Sequence, residues 1–133
     1  MSQPAIQNHI KQVLESFPDI TIGILYGSSA ENRLRFESDL DIAVAGNKAL
    51  SSNEKKELIT ELAEKLNRPI DLVDLRQING TLLHQALTNG ILIHCLDRNL
   101  YAALMKKMLY NQADMMPYHD RILKERRERW INE

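Results

Sequence analysis

The amino-acid sequence predicts a small α/β (α+β) fold, a mixed sheet of about four strands flanked by helices and followed by a helical C-terminal tail. Two observations predict it. Four short apolar runs, 20–26, 39–44, 70–75 and 91–96, alternate with segments whose apolar residues recur at helical spacing. The chain has 133 residues, 44% hydrophobic and 26% charged, which is one domain's worth of an ordinary globular protein. Four strands are too few for a doubly wound dinucleotide fold, and no G-x-G-x-x-G is present.

The elements follow in order. Residues 3–17 read as an amphipathic helix with Ile6, Ile10, Val13, Leu14 and Phe17 on one face; Ser2 suits its cap and Pro4 its first turn. Ile20 to Tyr26 is a buried strand rich in β-branched residues. A polar stretch from Gly27 to Ser38, opening with a possible short helix at 28–33, leads to a second strand through Asp39–Val44, and Gly46-Asn47 is a turn signal. Ser51 and Glu54 form a capping-box pattern ahead of a helix with Leu58, Ile59, Leu62, Ala63 and Leu66 on its apolar face. Asn67-Arg68-Pro69 stops it, and Ile70–Leu75 is the third strand. A short helix carrying Leu82, Leu83, Ala86 and Leu87 closes at Asn89-Gly90, and Ile91–Leu96 is the fourth strand. From Asp97 the pattern is helical, broken near Pro117.

The formal net charge is −1, which disfavours a long nucleic acid as the main partner. Charge is unevenly placed: residues 1–98 hold 10 basic and 13 acidic side chains, residues 99–133 hold 7 and 5. The single cysteine, Cys95, fits a reducing compartment. No apolar run approaches membrane-spanning length, and Met1-Ser2-Gln3-Pro4 does not open a secretory signal, so the expected location is the cytoplasm.

The stretch Gly27–Asp41 carries the chemistry. Residues i and i+2 of a strand project from one face, so Asp39 and Asp41 stand side by side while Leu40 and Ile42 enter the core. Two carboxylates held that close repel unless a cation neutralises them, and a hard divalent ion such as Mg²⁺ takes one or two carboxylates plus substrate phosphates. Gly27-Ser28 follows an apolar strand at a possible helix start, where backbone N–H groups, a glycine and a hydroxyl suit a phosphate. Together these describe a Mg²⁺–nucleoside triphosphate site. Asp71, a charge within an apolar strand, becomes the third carboxylate if its strand lies beside the second, and it then suits activation of an attacking hydroxyl. Asp74 should face the other way and is the reserve candidate.

A strand ending in Gly27-Ser28, ten intervening residues, Asp39-Leu40-Asp41 and a later strand carrying Asp71 resembles the DNA polymerase β-like nucleotidyltransferases. The short chain, without fingers or thumb domains, resembles the minimal nucleotidyltransferases, and among them the antitoxins that partner HEPN-domain RNase toxins. The resemblance implies a nucleotidyltransferase core over 1–98, with 99–133 a helical tail packed on the same domain. It implies a Mg²⁺-dependent protein adenylyltransferase that moves AMP from ATP to a tyrosine of the toxin. Carried across, Asp39, Asp41 and Asp71 are the catalytic and metal-binding carboxylates, and Gly27, Ser28, Ser29 and Arg33 hold the nucleotide. Many relatives place a basic residue where Ser29 stands; Arg33 and Arg35 are the nearest positive charges. An RNA 3′ end or a small hydroxylated molecule is the alternative acceptor, and neutralisation by binding alone is the alternative mode.

Other features have plainer readings. The run 121–129, RILKERRER, is a solvated helix laced by i,i+4 pairs or a contact surface for an acidic partner. Trp130 is an interface anchor or packs the tail on the core. Met105, Met108, Met115 and Met116 read as adaptable packing. His94-Cys95 belongs to the core or its edge, because structural zinc needs four ligands.

Overall fold

The computed structural model describes residues 2–27 and 39–115, the last five by backbone alone. Their elements are α1 (Gln3–Glu15), β1 (Ile20–Tyr26), β2 (Leu40–Gly46), α2 (Ser52–Leu66), β3 (Ile70–Asp74), α3 (Gly80–Asn89), β4 (Ile91–Cys95) and α4 (Arg98–Met115). This is the element order read from the sequence. The loop 28–38, with its possible short helix, and everything after Met115, including 121–129 and Trp130, lie outside the described residues.

Local chemistry sets the helix ends. The Ser2 hydroxyl accepts the Ala5 N–H at 3.3 Å, and Pro4 sits in the first turn of α1. That helix stops at Glu15, two residues earlier than its apolar pattern, because Ser16 and Phe17 turn back onto the carbonyls of Val13 and Leu14. Phe17 still packs against the core from this turn. At α2 both halves of the capping box form: Ser51 Oγ accepts from Glu54 N at 3.1 Å, and Glu54 Oε1 accepts from Ser51 N at 3.3 Å. Asn67, left-handed at φ 54°, ends it. Asp97 Oδ1 caps α4 by accepting from Leu100 N at 3.0 Å.

The four strands form one sheet in the order β3-β2-β1-β4. β1 is antiparallel to both neighbours, whereas β2 and β3 run parallel, joined across one face by α2. Helices cover both faces. Ile6, Ile10 and Leu14 of α1 and Leu58, Leu62 and Leu66 of α2 bury against Leu25, Leu40, Ile42 and Leu72. Leu83, Ala86 and Leu87 of α3 and Leu104 and Met108 of α4 bury against Ile22, Ile24, Tyr26 and Ala43 on the other face. Each large side chain so buried contributes roughly 1.5–3 kcal/mol relative to exposure.

This alternation decides what the sheet offers. Leu40, Ile42 and Val44 face α1 and α2, so Asp41, Ala43 and Ala45 face the α3/α4 side. β2 extends through Gly46, which the sequence reads as a turn; it pairs with Ile20, and the Asp19 carbonyl occupies the space a Cβ there would need, so only glycine fits.

Candidate active site

The site lies at the end of the sheet where β1 finishes and β2 and β3 begin. Tyr26 of β1 is the register partner of Asp41, and Asp41 is the parallel register partner of Asp71. Three side chains therefore stand in one row across three strands, on the α3/α4 face. The Leu40 N–H donates to the Pro69 carbonyl at 3.0 Å and ties the starts of β2 and β3 together. Asp39 immediately precedes β2, exposed, two residues from Asp41.

The electrostatics follow from this crowding. Burial raises the Asp41 carboxyl from 3.8 to about 6, with further contributions from the Asp71 charge, a hydrogen bond shared with Asp71, and the Asp39 charge. The structure thus brings Asp39, Asp41 and Asp71 within electrostatic reach of one another. Among the described residues, no three His, Cys, Asp or Glu side chains close into a ready-made metal cage. An octahedral cation that takes one or two carboxylates and fills its shell from water and substrate phosphates needs no such cage. Its charge also suits a carboxylate whose ionisation its neighbours oppose. The oxygen donors present fit a hard divalent ion of that kind.

Gly27 completes the described site. Its φ of +74° is left-handed, a conformation open to glycine at little cost. A Cβ there would lie 2.4 Å from Asp41 Oδ2, so glycine leaves the space that the carboxylate occupies. Ser28, Ser29, Arg33 and Arg35, expected around a triphosphate, lie outside the described residues.

Asp74 is elsewhere in function as well as in direction. It is 3% exposed, and its carboxylate accepts the Leu50 N–H at 2.8 Å and the Arg76 N–H at 2.9 Å. It fastens the turn after β3 to the segment before α2. His94 is buried and Cys95 half-buried, at the core and its edge. Met108 is buried and Met105 packs beside it. A cavity of ≈ 330 Å³ lined by Phe17, Asp19, Glu54, Glu57 and Glu61 sits at the far end of the sheet, where its acidic walls oppose a nucleotide. Tyr26 closes an apolar strand in the sequence, and its register with Asp41 is seen only in the sheet.

Comparison with known proteins bears on this arrangement. The family described as Polymerase beta, Nucleotidyltransferase matches residues 8–99. Protein adenylyltransferase MntA of Shewanella oneidensis is 35% identical over 81 residues, covering 61% of this chain. The match spans 58% of that protein's length. A crystal structure of a toxin–antitoxin with AMP-PNP aligns with a TM-score of 0.70 and 26% identity, over 88% of this chain and 98% of that one. A structure of tri-AMPylated Shewanella oneidensis HEPN toxin in complex with MNT antitoxin aligns at 0.67 and 26% identity, over 92% and 99%. No described helix is long and apolar enough to cross a membrane.

Proposed function

The chain belongs to the polymerase β nucleotidyltransferase family, and from that premise we propose that it is a Mg²⁺-dependent antitoxin that adenylylates a HEPN-domain RNase toxin. The donor is ATP, the acceptor is a tyrosine hydroxyl, and the products are the AMP–tyrosine phosphodiester and pyrophosphate. The observation that carries the reading is the register of Asp41 with Asp71, beside Asp39 and the Gly27 bend. The adenylyltransferase and toxin–antitoxin relatives supply the direction of the reaction and the kind of partner.

In this reading Gly27, Ser28, Ser29 and Arg33 cradle the triphosphate, and Asp39, Asp41 and Asp71 hold the ion. Bound Mg²⁺ supplies charge neutralisation at the phosphates. The tyrosine oxygen attacks the α-phosphorus, the bond from that phosphorus to the pyrophosphate oxygen breaks, and Asp71 takes the hydroxyl proton. Asp71 suits that role because it is exposed, whereas Asp41 is held deeper by its neighbours on β1 and β3. Catalysis is then chiefly positioning and electrostatic neutralisation.

The test is to incubate purified protein with α-labelled ATP, Mg²⁺ and a lysate of the host, then separate the fractions. Label on a protein of HEPN type supports the proposal. Label on RNA or on a small molecule moves the acceptor to one of those classes. No label in any fraction contradicts transfer and leaves neutralisation by binding alone.

A further inference from the structure

Helix α4 has two apolar sides, and the core uses one of them. Leu100, Tyr101, Leu104, Met105 and Met108 pack into the cluster beneath α3. Ala102, Ala103, Lys106, Leu109 and Tyr110 recur at helical spacing on the opposite side, and all five are exposed. Leu109 is 58% and Tyr110 65% exposed, on a face where a helix ordinarily carries polar side chains. By contrast, α2 exposes Glu57, Glu61 and Glu64. The outward face of α4 is also basic. From Arg98 to Ala113 the helix holds Arg98, Lys106 and Lys107 and no acidic residue. Lys107 turns inward, its Nζ donating to the Ile78 carbonyl at 3.2 Å. Arg98 and Lys106 remain exposed beside the outward apolar residues.

We propose that this outward face of α4 is a docking surface for an acidic and apolar surface of the toxin. The proposal rests on the toxin reading above and adds where the toxin is held. Charge decides among the occupants. A second copy of the same face, set across a two-fold axis, brings Arg98 and Lys106 against basic counterparts. The chain's own run 121–129 holds five basic and two acidic residues, so laying it on this face also opposes like charges. An acidic partner gains where both of these lose. Its carboxylates meet Arg98 and Lys106, and its apolar side chains cover Leu109 and Tyr110 and approach closely over Ala102 and Ala103. Exposed tyrosines are among the side chains that dominate such interfaces once covered. The surface also leaves the catalytic row free. α4 starts from the end of β4 that pairs with the start of β1, and Lys107 ties it to the turn after β3. Both lie away from the sheet end that carries Asp41 and Asp71.

The test measures the Kd of the full chain for the HEPN toxin by calorimetry, in wild type, in Leu109→Ser/Tyr110→Ser and in Lys106→Glu, with the affinity of each for AMP-PNP alongside. The proposal expects toxin binding weakened about 10-fold or more in both variants, unchanged AMP-PNP affinity, and a wild-type Kd that rises with salt. Toxin affinities equal to wild type overturn it. Lys106→Glu binding as tightly as wild type or tighter overturns the acidic assignment. A second measurement needs no variant: nitration of Tyr110 by tetranitromethane, mapped on peptides, with and without toxin. Tyr110 should react in the isolated chain and be protected in the complex. Protection already present in the isolated chain overturns the proposal, in favour of a second copy if light scattering gives a dimer and of the chain's own residues if it gives a monomer. A toxin that wild-type protein neither binds nor adenylylates overturns the toxin reading as well. A toxin bound and modified, with α4 variants at wild-type affinity, overturns this proposal alone.

Discussion

Gly27 presses against Asp41: a methyl group on the glycine Cα would lie 2.4 Å from Asp41 Oδ2. The relationship links the bend after β1 to a carboxylate on β2. Gly27→Ala meets two penalties, a left-handed φ of +74° costing an L-residue roughly 1–2 kcal/mol, and displacement of the carboxylate. A shift of that kind at a reacting site costs on the order of 100-fold in rate. Transfer activity should therefore fall by about that factor while the variant stays folded by circular dichroism. Activity within a few-fold of wild type would show that the Asp41 position tolerates movement.

Asp71 and Asp74 are three residues apart on β3 and should respond oppositely. Asp71→Ala removes a charge that opposes ionised Asp41, so stability should hold or rise while AMP transfer is lost. Asp74→Ala strips the acceptor from two backbone N–H groups in a buried setting. Hydrogen bonds to a charged group contribute about 1.5–3 kcal/mol each, so the loss of two predicts a drop of roughly 3–6 kcal/mol in denaturant unfolding, with activity per folded molecule retained. The reverse pattern, activity lost at Asp74 and kept at Asp71, would exchange the two roles.

The directions of these two side chains were legible in the sequence, because period-2 alternation alone separates residue 71 from residue 74. So were the helix start at Ser51, from its capping box, and the entry of Leu40 and Ile42 into the core. The pairing of Asp41 with Asp71 was legible only conditionally. It depends on β3 lying parallel beside β2, and nothing in a strand's own residues names its neighbour. Tyr26 was hidden for a related reason: a tyrosine in an apolar run reads as packing until the cross-strand partner is known. The apolar spacing, continued by Phe17, predicts a first helix two residues longer than the one that forms, because Phe17 reaches the core from a turn. Ser28, Ser29 and Arg33 lie outside the described residues, so their part in the site stays with the family resemblance.

Acidity offers a separate check. Burial, with the Asp71 and Asp39 charges beside it, raises the Asp41 carboxyl from 3.8 to about 6 in the folded protein. A folded-state value above the unfolded one means the native protein binds that proton more tightly. This contribution to stability is fully present below the unfolded value of 3.8 and is lost as pH rises through about 6. The melting temperature of metal-free protein should therefore decline across that window, and Asp71→Asn should move the decline to lower pH. Chelation should cost more stability above the window than below it, where the carboxyl is protonated and a cation gains less. A profile that Asp71→Asn leaves unmoved would mean the two carboxyls do not share a proton.

The reading as a whole turns on Asp39, Asp41 and Asp71 acting as one cation-dependent centre that modifies a toxin. Intact mass spectrometry of the HEPN toxin, after incubation with ATP, Mg²⁺ and either wild-type protein or Asp39→Ala/Asp41→Ala, tests this most directly. Wild-type protein should add one or more AMP increments, mapped to tyrosine, and the double variant should add none while failing to neutralise the toxin at matched expression. An unmodified toxin that both proteins neutralise equally would contradict the account.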